Sequence, residues 1–179
     1  MKLIILDRDG VINYDSDAYI KGPEEWVPIE GSLEAIARLN HSGYTVVVAS
    51  NQSGLSRGFF DINALNAMHK KMDDLLVKVG GQVDAVFFCP HGPDDKCKCR
   101  KPKPGLLLDI GKRFNVPLKD VFFIGDTISD INAAAKAKAK AILVRTGKGL
   151  ITEKKLNKKD KAAVQVFDDL SAAVNEILR

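Results

Sequence analysis

Six short apolar runs, each rich in β-branched or aromatic residues and bounded by Gly or polar residues, constrain this chain more than any other feature. They are Leu3 to Leu6, Val46 to Ala49, Val83 to Phe88, Val121 to Ile124, Ala141 to Val144 and Val164 to Phe167. Runs of this kind read as buried strands. Between them apolar residues recur at helical spacing: Leu33, Ile36 and Ala37; Leu65, Met68, Met72, Leu75, Leu76 and Val79; Leu106, Leu107, Ile110 and Phe114; Ile131, Ala134 and Ala135; and, last, Ala173, Val174, Ile177 and Leu178. Each set predicts one apolar helix face, with Ser32, Ser129 and Ser171 as N-caps. Met68 and Met72 belong to the predicted core, and His41 and His69 to helix surfaces. Strands alternating with helices require βαβ crossovers. The predicted class is therefore α/β, a doubly wound, mainly parallel sheet covered on both faces. In such sheets ligands bind beyond the carboxyl ends of the strands, so the residues that follow each run are the candidates for function.

The 179 residues suit a single domain spanning 1–179. With 45% hydrophobic and 28% charged residues the composition is that of a globular protein that folds by itself. The formal charge of +4 is mild and partly gathered at Lys154, Lys155, Lys158, Lys159 and Lys161, and aromatics are only 7%, which argues against a nucleic-acid partner. No apolar run approaches the ~18 residues of a membrane span. A cytoplasmic monomer acting on a small molecule is the expectation.

The first run ends in Asp7-Arg8-Asp9-Gly10, two acids that can share a cation or divide the work of nucleophile and proton carrier. After the second come Ser50, Asn51, Gln52, Ser53 and Gly54, donors suited to phosphate oxygens. The fourth ends in Gly125-Asp126, with Thr127, Ser129 and Asp130 close behind; Asp130 by itself would serve as a helix cap. Arg100 and Lys101 are cations stiffened by Pro102 and Pro104.

The three cysteines all lie in one segment, Cys89-Pro90-His91 through Cys97-Lys98-Cys99. An odd, clustered set is a poor disulfide framework, whereas Cys-x-His followed by Cys-x-Cys supplies four ligands for a closed, structural Zn²⁺ site. Folding around zinc would fix the adjoining Arg100 and Lys101.

Taken together, Asp7-x-Asp9, Ser50, Lys101 and Gly125-Asp126 appear in the order of the four motifs of the haloacid dehalogenase (HAD) superfamily of phosphotransferases, which this chain resembles from Asp7 to Asp130. The resemblance implies a phosphatase with Asp7 as nucleophile, Asp9 as general acid/base, Ser50 as phosphate ligand, Lys101 as charge stabiliser and catalytic Mg²⁺ at Asp7, Asp9 and Asp126. The spacing between motifs leaves no room for a large cap domain, so an open site with the metal loop 89–99 at its edge is expected. Closer likeness, in DRDGVIN, SNQSG, CKCRKPKPG and GDTISD, implies a sugar bisphosphate substrate, a heptose 1,7-bisphosphate losing its 7-phosphate on the way to lipopolysaccharide. Asp15, Ser16, Asp17, Ala18 and Ser50 to Ser53 would line the substrate site, with Arg100 on the distal phosphate or the sugar. Histidinol phosphate is the rival substrate, disfavoured because its amine would meet Arg100. A zinc-dependent nucleic-acid-binding module without catalysis is the alternative of a different class.

Overall fold

The computed structural model describes residues 1–179. Its strands are β1 (Lys2–Leu6), β2 (Tyr44–Asn51), β3 (Ala85–Cys89), β4 (Phe122–Gly125), β5 (Lys140–Val144) and β6 (Gln165–Phe167). Its helices are α1 (Ser32–His41), α2 (Ile62–Lys78), α3 (Gly105–Phe114), α4 (Ile128–Ala137), α5 (Gly149–Lys155), α6 (Lys158–Ala163) and α7 (Leu170–Ile177). The strands form one sheet in the order β3-β2-β1-β4-β5-β6, with every neighbouring pair parallel. No large cap domain interrupts it, and no helix is long and apolar enough to cross a membrane.

Period-2 side-chain alternation divides the core between the two faces of the sheet. Ile4 and Leu6 of β1, with Val46 and Val48 of β2, pack in one cluster with Ile36 and Leu39 of α1 and Leu65, Met68 and Met72 of α2. Leu3 and Ile5, with Val47 and Ala49, pack on the other face against Leu106, Leu107 and Ile110 of α3 and the alanines of α4. Both methionines are fully buried core residues. The small side chains of Ala133, Ala134 and Ala137 let α4 lie close to the sheet, and close approach of that helix is what brings its first turn to the strand ends.

The helix starts differ from the sequence reading. Gly31, not Ser32, precedes α1; Ser32 is its first residue and donates its hydroxyl to the Ile12 carbonyl at 2.7 Å. Thr127 caps α4 in a capping box with Asp130, and Asp169 caps α7. In both cases the capping side chain stands two residues upstream of the expected Ser. Two short helices, α5 and α6, occupy the lysine-rich segment that carried no clear periodicity.

Candidate active site

The chain runs outward from β1 to β3, then returns to lay β4 on the other side of β1. This reversal opens the crevice between β1 and β4, and the acids following those two strands, Asp7 and Asp126, meet there. Asp130 joins them from the first turn of α4, so that one carboxylate oxygen from each lies within 4.8 Å of the others. Gly125 is required behind them, since a Cβ there would sit 2.3 Å from the Cβ of Asp130. Gly10 and Gly147 enclose Asp126 just as tightly: a Cβ on either would lie 2.2 Å from its Oδ2, and both hold left-handed φ angles of +82° and +57°.

Lys101 reaches into this acid cluster and is itself buried, with 3% exposure. Its ammonium lies 2.9 Å from Asp7 Oδ2 and 2.7 Å from Asp130 Oδ1, and donates to the Ala49 carbonyl at 2.9 Å. Burial opposes the charge on Lys101, but Asp130 and Asp7 outweigh it and raise the pKa above the ordinary lysine value. Asn51 fixes this residue from behind: its Oδ1 accepts from the Lys101 N–H and its Nδ2 donates to the Lys101 carbonyl, both at 3.1 Å. The Asn51 amide, expected to touch substrate, is thus used on both ends to hold the lysine.

Three carboxylates facing one ammonium leave the cluster short of positive charge. Burial raises Asp7 well above the usual carboxylate range, with Asp130 and Asp126 adding to the rise against the pull of Lys101. Burial and Asp130 push Asp126 up to about 7. Asp126 Oδ2 accepts the Lys148 backbone N–H at 2.8 Å, whereas its buried Oδ1 has no hydrogen-bond partner. An orphaned carboxylate oxygen in a crowded oxygen cluster fits a hard divalent cation such as Mg²⁺.

Those raised values have a consequence for stability. A folded-state carboxyl with a raised pKa keeps a proton that the unfolded chain has already released, so stability falls as pH rises from the ordinary carboxylate range through about 7. The metal-free protein is expected to lose on the order of 1–3 kcal/mol between about pH 5 and pH 8. Added Mg²⁺ should raise the melting temperature more at pH 8 than at pH 5, and Asp126→Asn should flatten the dependence. A metal-free melting temperature that rises over this interval would contradict the cluster's electrostatics.

The Asp9 carboxylate is not part of the acid cluster. It accepts from Arg8 Nε at 3.1 Å, from Asn13 Nδ2 at 2.9 Å and from Gln52 Nε2 at 3.0 Å. Burial would raise its pKa, but the Arg8 guanidinium, with Asn13 and Gln52, more than offsets this and holds the carboxyl below its ordinary value. Gln52 also donates to Ser50 Oγ at 2.7 Å, tying the second acid of the motif to the expected phosphate ligand.

Asp7, Asp9, Asp126, Lys101, Ser50 and Gln52 line one cavity of about 350 Å³, of whose 18 lining residues only three are hydrophobic, a surface suited to a polyhydroxylated anion. Asp15, Ser16, Asp17, Ser50, Asn51, Gln52, Ser53 and Arg100 all line it. Ala18 does not; it is exposed beyond the rim, and Tyr19 and Ile20 take its place on the wall. Lys148, which the sequence did not single out, lines the opposite wall and pairs with Asp15 and Asp17 at 3.5 and 3.3 Å. Asp130, expected only as a cap, does both jobs, accepting the Thr127 N–H at 3.0 Å while it meets Lys101.

Beside the cavity the Cys/His segment closes on itself. Cys89 Sγ lies 3.2 Å from Cys99 Sγ and 3.8 Å from Cys97 Sγ, and His91 Nδ1 is 3.5 and 3.4 Å from Cys89 and Cys99. Four N and S donors bound to one zinc at their usual lengths stand roughly 3.3–3.8 Å apart along the edges of a tetrahedron. The donor set fits Zn²⁺, and three of these four distances fall within that range, with the Cys89 to Cys99 distance just short of it. Arg100 is attached to this unit, its N–H donating to Cys97 Sγ at 3.4 Å and its Nη1 to the His91 carbonyl at 3.1 Å.

A HAD-hydrolase-like family model matches residues 98–173. The chain is 50% identical over 177 residues to the D-glycero-beta-D-manno-heptose-1,7-bisphosphate 7-phosphatase of Pseudomonas aeruginosa, covering 99% of this chain and 98% of that one. Against the same-named protein of Bordetella bronchiseptica it is 51% identical, with 100% and 99% covered. Among solved structures, the B. bronchiseptica D,D-heptose 1,7-bisphosphate phosphatase complexed with magnesium and phosphate superposes with a TM-score of 0.95 at 52% identity, over 99% of this chain and 98% of that one. The Burkholderia thailandensis D,D-heptose 1,7-bisphosphate phosphatase gives 0.77 at 42% identity, with 99% of each covered. With near-complete coverage at half identity, this chain belongs to the heptose-1,7-bisphosphate 7-phosphatase family of HAD-type phosphatases.

Proposed function

We propose that this single-domain enzyme removes the 7-phosphate from D-glycero-beta-D-manno-heptose 1,7-bisphosphate in a Mg²⁺-dependent reaction that passes through a phosphoryl group on Asp7. The observation that carries the reading is the convergence of Asp7, Asp126 and Asp130 on one another, with Lys101 paired to Asp7 and Asp130, at the polar cavity of the β1–β4 reversal. Asp7 and Asp126 would hold the metal, which when bound screens negative charge between an anionic nucleophile and an anionic phosphate. The Asp9 carboxylate, held by Arg8, Asn13 and Gln52 outside the acid cluster, serves the proton transfers and not the metal.

An Asp7 oxygen attacks phosphorus in line with the bond to the C7 oxygen, and that bond breaks as the Asp7–phosphorus bond forms. Lys101 and Ser50 stabilise the charge on the equatorial oxygens. Asp9 starts ionised, and the negative charge of the arriving phosphate raises its proton affinity. The proton it then takes up from solvent passes to the leaving alkoxide. Asp9 next takes a proton from a water whose oxygen attacks phosphorus, which releases inorganic phosphate and restores Asp7.

The zinc unit replaces what a cap would do, presenting Arg100 to the distal phosphate, where a guanidinium binds two oxygens at once. Cys97→Ser should lower bound zinc from one ion per chain and lower the melting temperature together, with the kcat/KM for the bisphosphate falling as Arg100 loses its support. A zinc-free variant of unchanged stability and activity would contradict this role. The reading as a whole is tested by specificity constants for both anomers of the heptose bisphosphate, fructose 1,6-bisphosphate and histidinol phosphate, with and without Mg²⁺. We expect the beta anomer to lead and turnover to vanish on chelation; preference for histidinol phosphate would overturn the substrate assignment.

A further inference from the structure

Arg8 is fully buried although no step of the proposed reaction uses it. Its guanidinium forks onto the Asp9 carboxylate, Nε to Oδ1 at 3.1 Å and Nη2 to Oδ2 at 3.2 Å. The remaining arm, Nη1, faces Nε2 of His69 at 3.2 Å. His69 belongs to α2, far away in the sequence, and is half-buried with its ring turned toward β1, not on the helix surface where the sequence placed it. Guanidinium has donors only, so a ring nitrogen at this distance must present its lone pair, which places the imidazole proton on Nδ1. Burial, reinforced by Arg8, pushes the His69 pKa down to about 4 and keeps the ring in that neutral form.

We infer that His69 is a positioning residue: by accepting from Arg8 it fixes the plane of the guanidinium, and through that fork it fixes the carboxylate of Asp9. The inference rests on the proton-carrying role proposed for Asp9. An arginine held only by the flexible fork can swing, whereas one anchored at its third arm cannot. Asp9 then keeps one orientation beside Gln52 and Asn13 and toward the cavity it lines. Neither Arg8 nor His69 lines that cavity, so their contribution should appear in turnover and not in substrate binding.

The test compares His69→Leu, which fills the space without an acceptor, with His69→Gln, whose amide oxygen can still accept from Arg8. In His69→Leu, kcat should fall about tenfold to a hundredfold, as misplacement of a reacting group costs, with KM within twofold. His69→Gln should recover most of the loss, and imidazole ¹⁵N shifts of the unmodified enzyme should report a neutral, Nδ1-protonated ring from about pH 5 to 9. Wild-type kcat in His69→Leu, equal kcat in the two variants, or a ring that titrates at the ordinary histidine value would overturn the inference. Asp9→Asn run in parallel separates the two levels. If it is inactive while His69→Leu is normal, only the positioning role fails; if it turns over normally, the proton-carrier reading fails and the inference with it.

Discussion

Replacing Asp7 by Asn is expected to lower kcat at least ~10⁴-fold while leaving the protein as stable as before, or more so. The amide cannot attack phosphorus, so no phosphoryl group would be recovered on the chain after acid quench and mass spectrometry. The fold has little reason to suffer. Asp7 Oδ1 accepts the Arg8 N–H at 2.7 Å and Oδ2 meets Lys101 at 2.9 Å, and one of these two roles passes to the Asn oxygen. The substitution also removes a carboxyl whose pKa its neighbours Asp130 and Asp126 help to raise. A variant within tenfold of wild-type kcat would remove Asp7 from the role of nucleophile. A large fall in melting temperature would mean that the acid is held by more than Lys101 and the backbone.

Lys101→Met should have the largest effect on stability, about 3–5 kcal/mol, because it leaves buried carboxylates without their counter-ion. That is a large part of the ~5–15 kcal/mol by which a domain of this kind is stable. The loss depends on pH in a defined direction. Without the ammonium, which opposes the rise in the Asp7 pKa, Asp7 takes up a proton more readily, and once neutral it no longer repels its neighbours. The destabilisation should therefore be smaller near pH 5 than near pH 8. Urea denaturation midpoints at the two values check this, and activity should fall with stability at both because the equatorial phosphate oxygens lose their cation. A variant equally destabilised at both pH values would indicate that the damage comes from lost contacts of the side chain as a whole, whose ammonium lies over the Phe123 ring at 5.4 Å from its centroid.

Strand positions were readable because a buried parallel strand needs an unbroken apolar run, and its functional residues must follow that run directly. Asp7, Ser50 and Asp126 were found that way. Lys101 stands out in the sequence only as one of two proline-stiffened cations, and its role comes from family resemblance, since nothing in an Arg-Lys-Pro segment says that the lysine will be buried. Other features had no local signature. The second role of Asp130 depends on α4 lying close enough to the sheet for its first turn to meet a lysine from another crossover. His69 looks like any polar helix residue until the rotation of α2 is known, and Gly147 like any loop glycine until Asp126 is packed against it. Caps were misplaced by one or two positions because Ser, Thr and Asp compete for the same backbone donors, and the winner is set by where the preceding strand ends.

The reacting groups come from the ends of β1, β2 and β4, from the segment before α3 and from the start of α4, so they arrive on four separate crossovers. No autonomous fragment can carry the chemistry, and no partly assembled intermediate holds a working subset of it. During refolding, recovery of turnover should consequently lag behind recovery of helical circular dichroism, and hydrolysis becomes a report on whether every crossover has found its register.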